Sequence, residues 1–128
     1  MSKYQVLVDS SVWIDYFRNG SHNKLEQLII EDLACVNEII LTELIPTLKK
    51  LNQSEVIDSL EALEKIPLRI DWNIIRKYQF MNLQNGINKV GIPDLLILQQ
   101  VIDQKLTLYT FDKHFKLMQS NLQFDILE

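Results

Sequence analysis

The sequence predicts an α/β domain whose mainly parallel sheet is covered by helices. Three observations lead there. Short apolar runs of strand length recur along the chain: QVLV at 5–8, ACV at 34–36, IPLRI at 66–70, LTLY at 106–109 and FDIL at 124–127. Between them lie segments with apolar residues at helical spacing, each opened by a start signal. The 128 residues are 47% hydrophobic and contain neither an internal repeat nor a low-complexity linker, so one domain over 1–128 with one core is expected.

Each element has a local reason. After the strand at 5–8, Ser10 or Ser11 caps a helix carrying Val12, Trp13, Ile14 and Phe17, and Arg18, Asn19, Gly20 and Ser21 end it. A second helix spans 22–30 on Leu25, Leu28 and Ile29. Asn37 caps a third, which holds Ile40, Leu44 and Leu48; Pro46 is expected to kink it or set a boundary near Ile45. Ser54 opens a fourth helix through Val56, Ile57, Leu60 and Leu63, before the strand at 66–70 entered through Pro67. Asp71 caps a long helix to about Asn85, with Trp72, Ile75, Tyr78 and Leu83 as packing residues. Pro93 suits the first turn of the helix DLLILQQVIDQ, and a short helix over 113–118 separates the last two strands.

Charge and cysteine usage limit the functional classes. Lys plus Arg number 13 against 17 Asp plus Glu, a formal charge of −4, so no global field attracts nucleic acid. The acids crowd residues 26–71 while Arg76, Lys77, Lys89, Lys105, Lys113 and Lys116 follow, which leaves room for a locally basic face. Cys35 is the only cysteine, excluding an intrachain disulfide and a thiolate cluster; it reads as a small buried hydrophobe. The opening MSKYQVLVD lacks the pattern of a signal peptide, and no apolar stretch of 18 residues occurs, so a cytoplasmic protein without a membrane segment is expected.

In a parallel α/β sheet, ligands collect beyond the carboxyl ends of the strands. Asp9 directly follows the first strand, and Asp112 comes shortly after LTLY. Asp94 opens the helix before LTLY, and Glu43 sits on the helix after ACV, able to lean over the same edge. Taken singly, each has an ordinary explanation as turn former, solvated acid or helix cap. Their joint placement is what suggests a site.

The stretches VLVDSSVWIDYF at 6–17, LTEL at 41–44, GIPDLLIL at 91–98 and LYTFDKHF at 108–115 resemble, in order and across essentially the whole chain, the PIN domain family, especially its small VapC-type toxins of toxin–antitoxin pairs. The resemblance implies a three-layer α/β/α fold with a parallel sheet of about five strands. It also implies a divalent-metal-dependent endoribonuclease with Asp9, Glu43, Asp94 and Asp112 as its catalytic acids. Asp9 and Asp94 would be the main metal ligands; Glu43 and Asp112 would bind a second ion, act through water, or position the nucleophile. Mg²⁺ suits such oxygen ligands, as does Mn²⁺, with one ion or two left open. The ion would screen the phosphate and acidify a water for in-line attack. RNA is the implied substrate, a VapB-like antitoxin the implied inhibitor, and a homodimer the implied assembly.

Around these acids, Ser10 and Thr110 are candidate hydroxyl donors that orient them, against a reading as ordinary caps or turn hydroxyls. Arg18, Lys89, Lys113 and Lys116 are candidates for RNA phosphate contacts, against plain surface charge. Trp13 and Phe17 read as packing groups, Asp15 as a solvated acid, and His114 as a neighbour of Asp112 with no assigned chemistry. LILQQ after Asp94 departs from the small-residue-rich continuation common in the family. The competing readings are an RNA-maturation or structure-specific DNA nuclease on the same site, and a nonenzymatic α/β interaction module.

Overall fold

The structure, a computed structural model, describes residues 4–128. Along the chain run β1 (Val6–Val8), α1 (Ser10–Asn19), α2 (Asn23–Ile30), β2 (Ala34–Val36), α3 (Glu38–Lys50) and α4 (Ser54–Glu61). Then follow β3 (Glu64–Lys65), α5 (Trp72–Gln84), α6 (Ile92–Asp103), β4 (Thr107–Tyr109), α7 (Lys113–Met118) and β5 (Asp125–Ile126). The five strands form one parallel sheet in the order β3-β2-β1-β4-β5. The α/β class and strand number expected from the sequence are those observed.

Strand order also assigns the helices to layers. From β1 to β3 the chain steps in one direction across the sheet, then it returns past β1 and continues the opposite way to β5. Right-handed crossovers therefore put α1–α4 on one face and α5–α7 on the other. The strongest helix pairings agree with this, α3 against α4 and α5 against α6. Val6, Leu7 and Val8 are fully buried, which is why the central strand is a continuous apolar run rather than an alternating one. Val12, Trp13, Ile40 and Leu60 close one side of the core, and Leu95, Leu98, Phe115 and Met118 belong to the other helical layer. Cys35 is fully buried on β2, as expected of a small hydrophobe.

Side-chain caps start several helices. Asn37 Oδ1 accepts from Ile40 N–H at 2.9 Å, and Asp71 Oδ1 from Asn73 and Ile74 N–H at 3.0 and 3.3 Å. His22, expected inside α2, is instead its N-cap, with Nδ1 accepting from Leu25 N–H at 3.3 Å. Ser10 and Ser11 do not cap α1; they lie within its first turn, and Asp9 occupies the N-cap position without a side-chain capping bond.

Three further expectations change. Pro46 neither ends nor divides α3. It lies on the exposed side, as does Thr42 four residues earlier, so the carbonyl that loses its helical partner can be hydrated. The strand expected at 66–70 is displaced to Glu64–Lys65, and only Ile66 N–H continues the pairing, to Val36 O at 2.8 Å. Beyond it, side chains of α6 replace a ladder. Gln100 Nε2 donates to the carbonyls of Ile66 and Pro67 at 3.0 and 3.1 Å, and Gln99 Nε2 donates to that of Arg69 at 2.9 Å. The QQ pair of LILQQ is thus a clamp on an irregular segment, with Gln100 Oε1 also accepting from Asn37 Nδ2 at 2.7 Å. Finally, Trp72 and Leu83, expected to pack, are 52% and 61% exposed, while α5 buries Ile75, Tyr78 and Asn82.

Candidate active site

The sheet's switch point lies between β1 and β4, which leave the sheet toward opposite helical layers. Their ladder pairs Val8 with Tyr109 and closes with Asp9 N–H donating to Tyr109 O at 2.9 Å. This last bond sets Asp9 beside Thr110. Asp9 is only 5% exposed, so its carboxylate needs partners other than water. Thr110 Oγ1 and Ser11 Oγ both donate to Asp9 Oδ2, each at 2.9 Å.

The same hydroxyls tie down the loop after β4. Ser11 Oγ accepts from Phe111 N–H at 3.0 Å, and Thr110 Oγ1 accepts from Asp112 N–H at 3.0 Å. Each hydroxyl has one proton, spent on Asp9, so the 3.4 Å separation between them carries none. A rigid set of Asp9, Ser11, Thr110 and the Phe111–Asp112 backbone results. Ser10, one of the two hydroxyls expected to orient the acids, serves Glu43, whose carboxyl it lowers, and makes no hydrogen bond to Asp9. Ser11 is therefore the hydroxyl missed by sequence reasoning. The pair DSS was visible, but helical phase decides which serine turns back to Asp9.

Asp112 is the N-cap of α7, its Oδ1 accepting from His114 N–H at 2.9 Å and lying 2.8 Å from His114 Nδ1. Asp94 sits in the first turn of α6, behind Pro93. Its carboxyl is pushed up to about 6, first by burial, then by the charges of Asp112 and Asp9, with His114 acting in the opposite sense. A helix N-terminus favours an anion, so burial and neighbouring acids outweigh the dipole here. Glu43 is also raised, by burial first and then by Asp9 and Asp94, while the Ser10 hydrogen bond lowers it. Glu43 is nonetheless exposed as a residue, so water screens these effects and they cost little stability.

Asp9, Glu43, Asp94 and Asp112 thus form one electrostatic unit, to which His114 also belongs. They are not drawn into a ready-made cage: among the described residues, no three His, Cys, Asp or Glu side chains stand together closely enough to hold a metal ion. In chemistry the donors fit a hard divalent cation, being carboxylate oxygens whose mutual repulsion a cation would relieve. Arg18, Lys89, Lys113 and Lys116 are exposed at the end of α1, in the loop before α6 and on α7. Lys89 adopts a left-handed backbone, φ 68°. Trp13 is buried, its indole N–H donating to Val8 O at 3.2 Å, and Phe17 packs beside it. Asp15 accepts from Asn19 Nδ2 at 2.9 Å and contributes no ligand to the acidic unit.

A cavity of about 580 Å³ lies elsewhere, lined chiefly by apolar residues including Trp13, Phe17, Leu48, Val56 and Leu60. None of the four acids lines it. Among the described residues, no helix is long and apolar enough to cross a membrane.

Comparisons with known proteins agree with this architecture. The chain is similar in fold to DNA-bound VapBC from Salmonella typhimurium, with TM-score 0.79 and 17% identity over 98% of each chain. It is also similar to VapBC2 from Rickettsia felis bound to a promoter DNA fragment, with TM-score 0.74 and 21% identity over 96% of this chain and 98% of that one. VapBC-1 from nontypeable Haemophilus influenzae gives TM-score 0.71 and 17% identity over 94% and 96%. Among curated proteins, none matches the sequence. The family model for the PIN domain matches residues 6–120, a span that contains all four acids and every strand but β5. The chain belongs to the PIN domain family.

Proposed function

We propose that the chain is a divalent-metal-dependent endoribonuclease, hydrolysing RNA phosphodiester bonds as the toxin of a toxin–antitoxin pair. The observation that carries this reading is the gathering of Asp9, Glu43, Asp94 and Asp112, from the end of β1, from α3, from the first turn of α6 and from the start of α7, about the carboxyl edge of a parallel sheet. Capping α7 and tying down the loop after β4 explain Asp112 and Asp9 one at a time, but not why four acids gather there, where they would repel a phosphodiester unless a cation stood between. Membership of a nuclease family supports the same reaction class.

Mg²⁺, or Mn²⁺ in its place, would be held by Asp9 and Asp94, with Glu43 and Asp112 sharing the charge. Such an ion would neutralise phosphate charge and make a bound water more acidic. The protein's own contribution is positional. Ser11 and Thr110 hold Asp9 Oδ2, leaving the lone pairs of Oδ1 for a ligand. His114 holds Asp112 Oδ1 through both its backbone N–H and its ring. The carboxyl of Asp94 is raised to about 6 by burial and by the charges of Asp112 and Asp9, a repulsion that a cation held there would relieve.

The likeness to VapBC structures across nearly the whole chain supports a VapB-like antitoxin as partner; a homodimer as the toxin unit and a cytoplasmic setting belong to the same proposed reading. The test is cleavage of single-stranded and structured RNAs, with matched DNAs, by purified protein in Mg²⁺ and in EDTA. RNA cleavage that requires the cation and disappears in Asp9→Asn and Asp94→Asn is the expected result. Undiminished cleavage by both variants, with contaminating nuclease excluded, would overturn the site; preferential DNA cleavage would overturn the substrate.

A further inference from the structure

We propose that Phe111 is a stacking platform for one base of single-stranded RNA beside the acidic cluster, an inference that rests on the ribonuclease reading above. Phe111 is 51% exposed, although it lies in the loop that carries Thr110 and Asp112. Its backbone is tied to the site: Phe111 N–H donates to Ser11 Oγ at 3.0 Å, and Ser11 Oγ donates to Asp9 Oδ2 at 2.9 Å. Two hydrogen bonds therefore separate this exposed ring from the most buried acid.

The ring is supported from behind. It stacks on His22, with centroids 5.8 Å apart and planes at 28°, and it meets Tyr109 edge-on at 5.6 Å and 83°. His22 is itself fixed at both nitrogens. Nδ1 accepts from Leu25 N–H, so in the neutral ring Nε2 carries the proton and donates to Tyr109 Oη at 3.1 Å. Phe111 is thus an aromatic surface held in place on one side and left half open to solvent on the other. A ring already ordered before binding loses little entropy when a base stacks on it.

This supplies what the acids cannot. With a formal charge of −4 and four carboxylates gathered at the site, the chain gains little from phosphate attraction, and a cation held there would neutralise charge only locally. Base stacking is independent of phosphate charge and tolerates any base, because every base has a π-face. It also requires an unpaired base, which selects single-stranded RNA or a loop over a duplex. The ordinary alternative is that Phe111 only shields His22 and Tyr109, a task leucine would also perform.

Steady-state cleavage by the full chain in Mg²⁺ separates the two, using Phe111→Leu, Phe111→Trp and RNA oligonucleotides each lacking one base near the cut. Phe111→Leu should raise KM about tenfold with kcat little changed, and Phe111→Trp should restore it. One abasic position should cost the parent a similar factor and cost Phe111→Leu nothing. Equal KM values for parent and Phe111→Leu, or an abasic penalty that persists in Phe111→Leu, would overturn the platform while leaving the ribonuclease reading intact. A parent protein that cleaves no RNA would overturn that reading, and the platform with it.

Discussion

Replacing Asp94 by Asn should stabilise the metal-free fold near neutral pH while destroying its activity. Burial and the charges of Asp112 and Asp9 raise the Asp94 carboxyl from 3.8 to about 6. At about 1.4 kcal/mol per unit the ceiling is roughly 3 kcal/mol, which partial exposure to water reduces to about 1–2 kcal/mol. Asn also forfeits the favourable position of an anion in the first turn of α6, about 0.3–1 kcal/mol of opposite sign. The net gain is therefore about 1 kcal/mol.

Its pH dependence identifies the cause. The folded chain holds the Asp94 proton more tightly than the unfolded chain, so the stability it contributes is full below 3.8 and is lost as pH rises through about 6. Asn does not titrate and escapes that loss. Urea unfolding in EDTA should show parent and variant nearly equal below about pH 3.5, diverging mainly between pH 4 and 6 and separated by about 1 kcal/mol from pH 7 to 8. A variant no more stable than the parent at pH 8, or a difference that does not change with pH, would refute the electrostatic account. Adding Mg²⁺ should stabilise the parent more than the variant, since only the parent retains the full ligand set.

Two further substitutions probe parts of the structure that the sequence left undecided. Ser11→Ala removes one of the two donors to Asp9 Oδ2 and should weaken Mg²⁺-dependent cleavage by about 10- to 100-fold, whereas Ser10→Ala should do much less; the reverse ranking in kinetic assays would contradict the geometry. Gln100→Leu strips partners from Asn37 and from the carbonyls of Ile66 and Pro67 in a buried setting, and should cost about 2–3 kcal/mol in urea unfolding. A loss below about 0.5 kcal/mol would mean that α6 does not clamp the 66–71 segment.

Local features of this chain are legible wherever chemistry acts over a few residues. Asn37 and Asp71 cap helices because their short side chains reach N–H groups two or three residues ahead, and that reach is written in order along the chain. Continuous apolar runs such as VLV and TLY betray strands buried on both faces. The segment IPLRI misled because its apolar content resembles a strand, while its carbonyls are satisfied by glutamines about 30 residues later. Pro46 misled because tolerance depends on which side of α3 faces water, a tertiary property.

The candidate site divides along the same line. Asp9, Glu43, Asp94 and Asp112 could be singled out from their positions after strands and at helix starts, and from motifs resembling one family. Sequence by itself determined which residue types occupy the sheet's carboxyl edge, because strand ends and helix caps are set by neighbours in the chain. Only the tertiary structure decided that Ser11 rather than Ser10 holds Asp9, that His114 is paired with Asp112, and that Phe111 stands exposed on His22. Those contacts depend on helix phase and on strand register between β1 and β4, which bring residues about 100 positions apart within hydrogen-bonding distance.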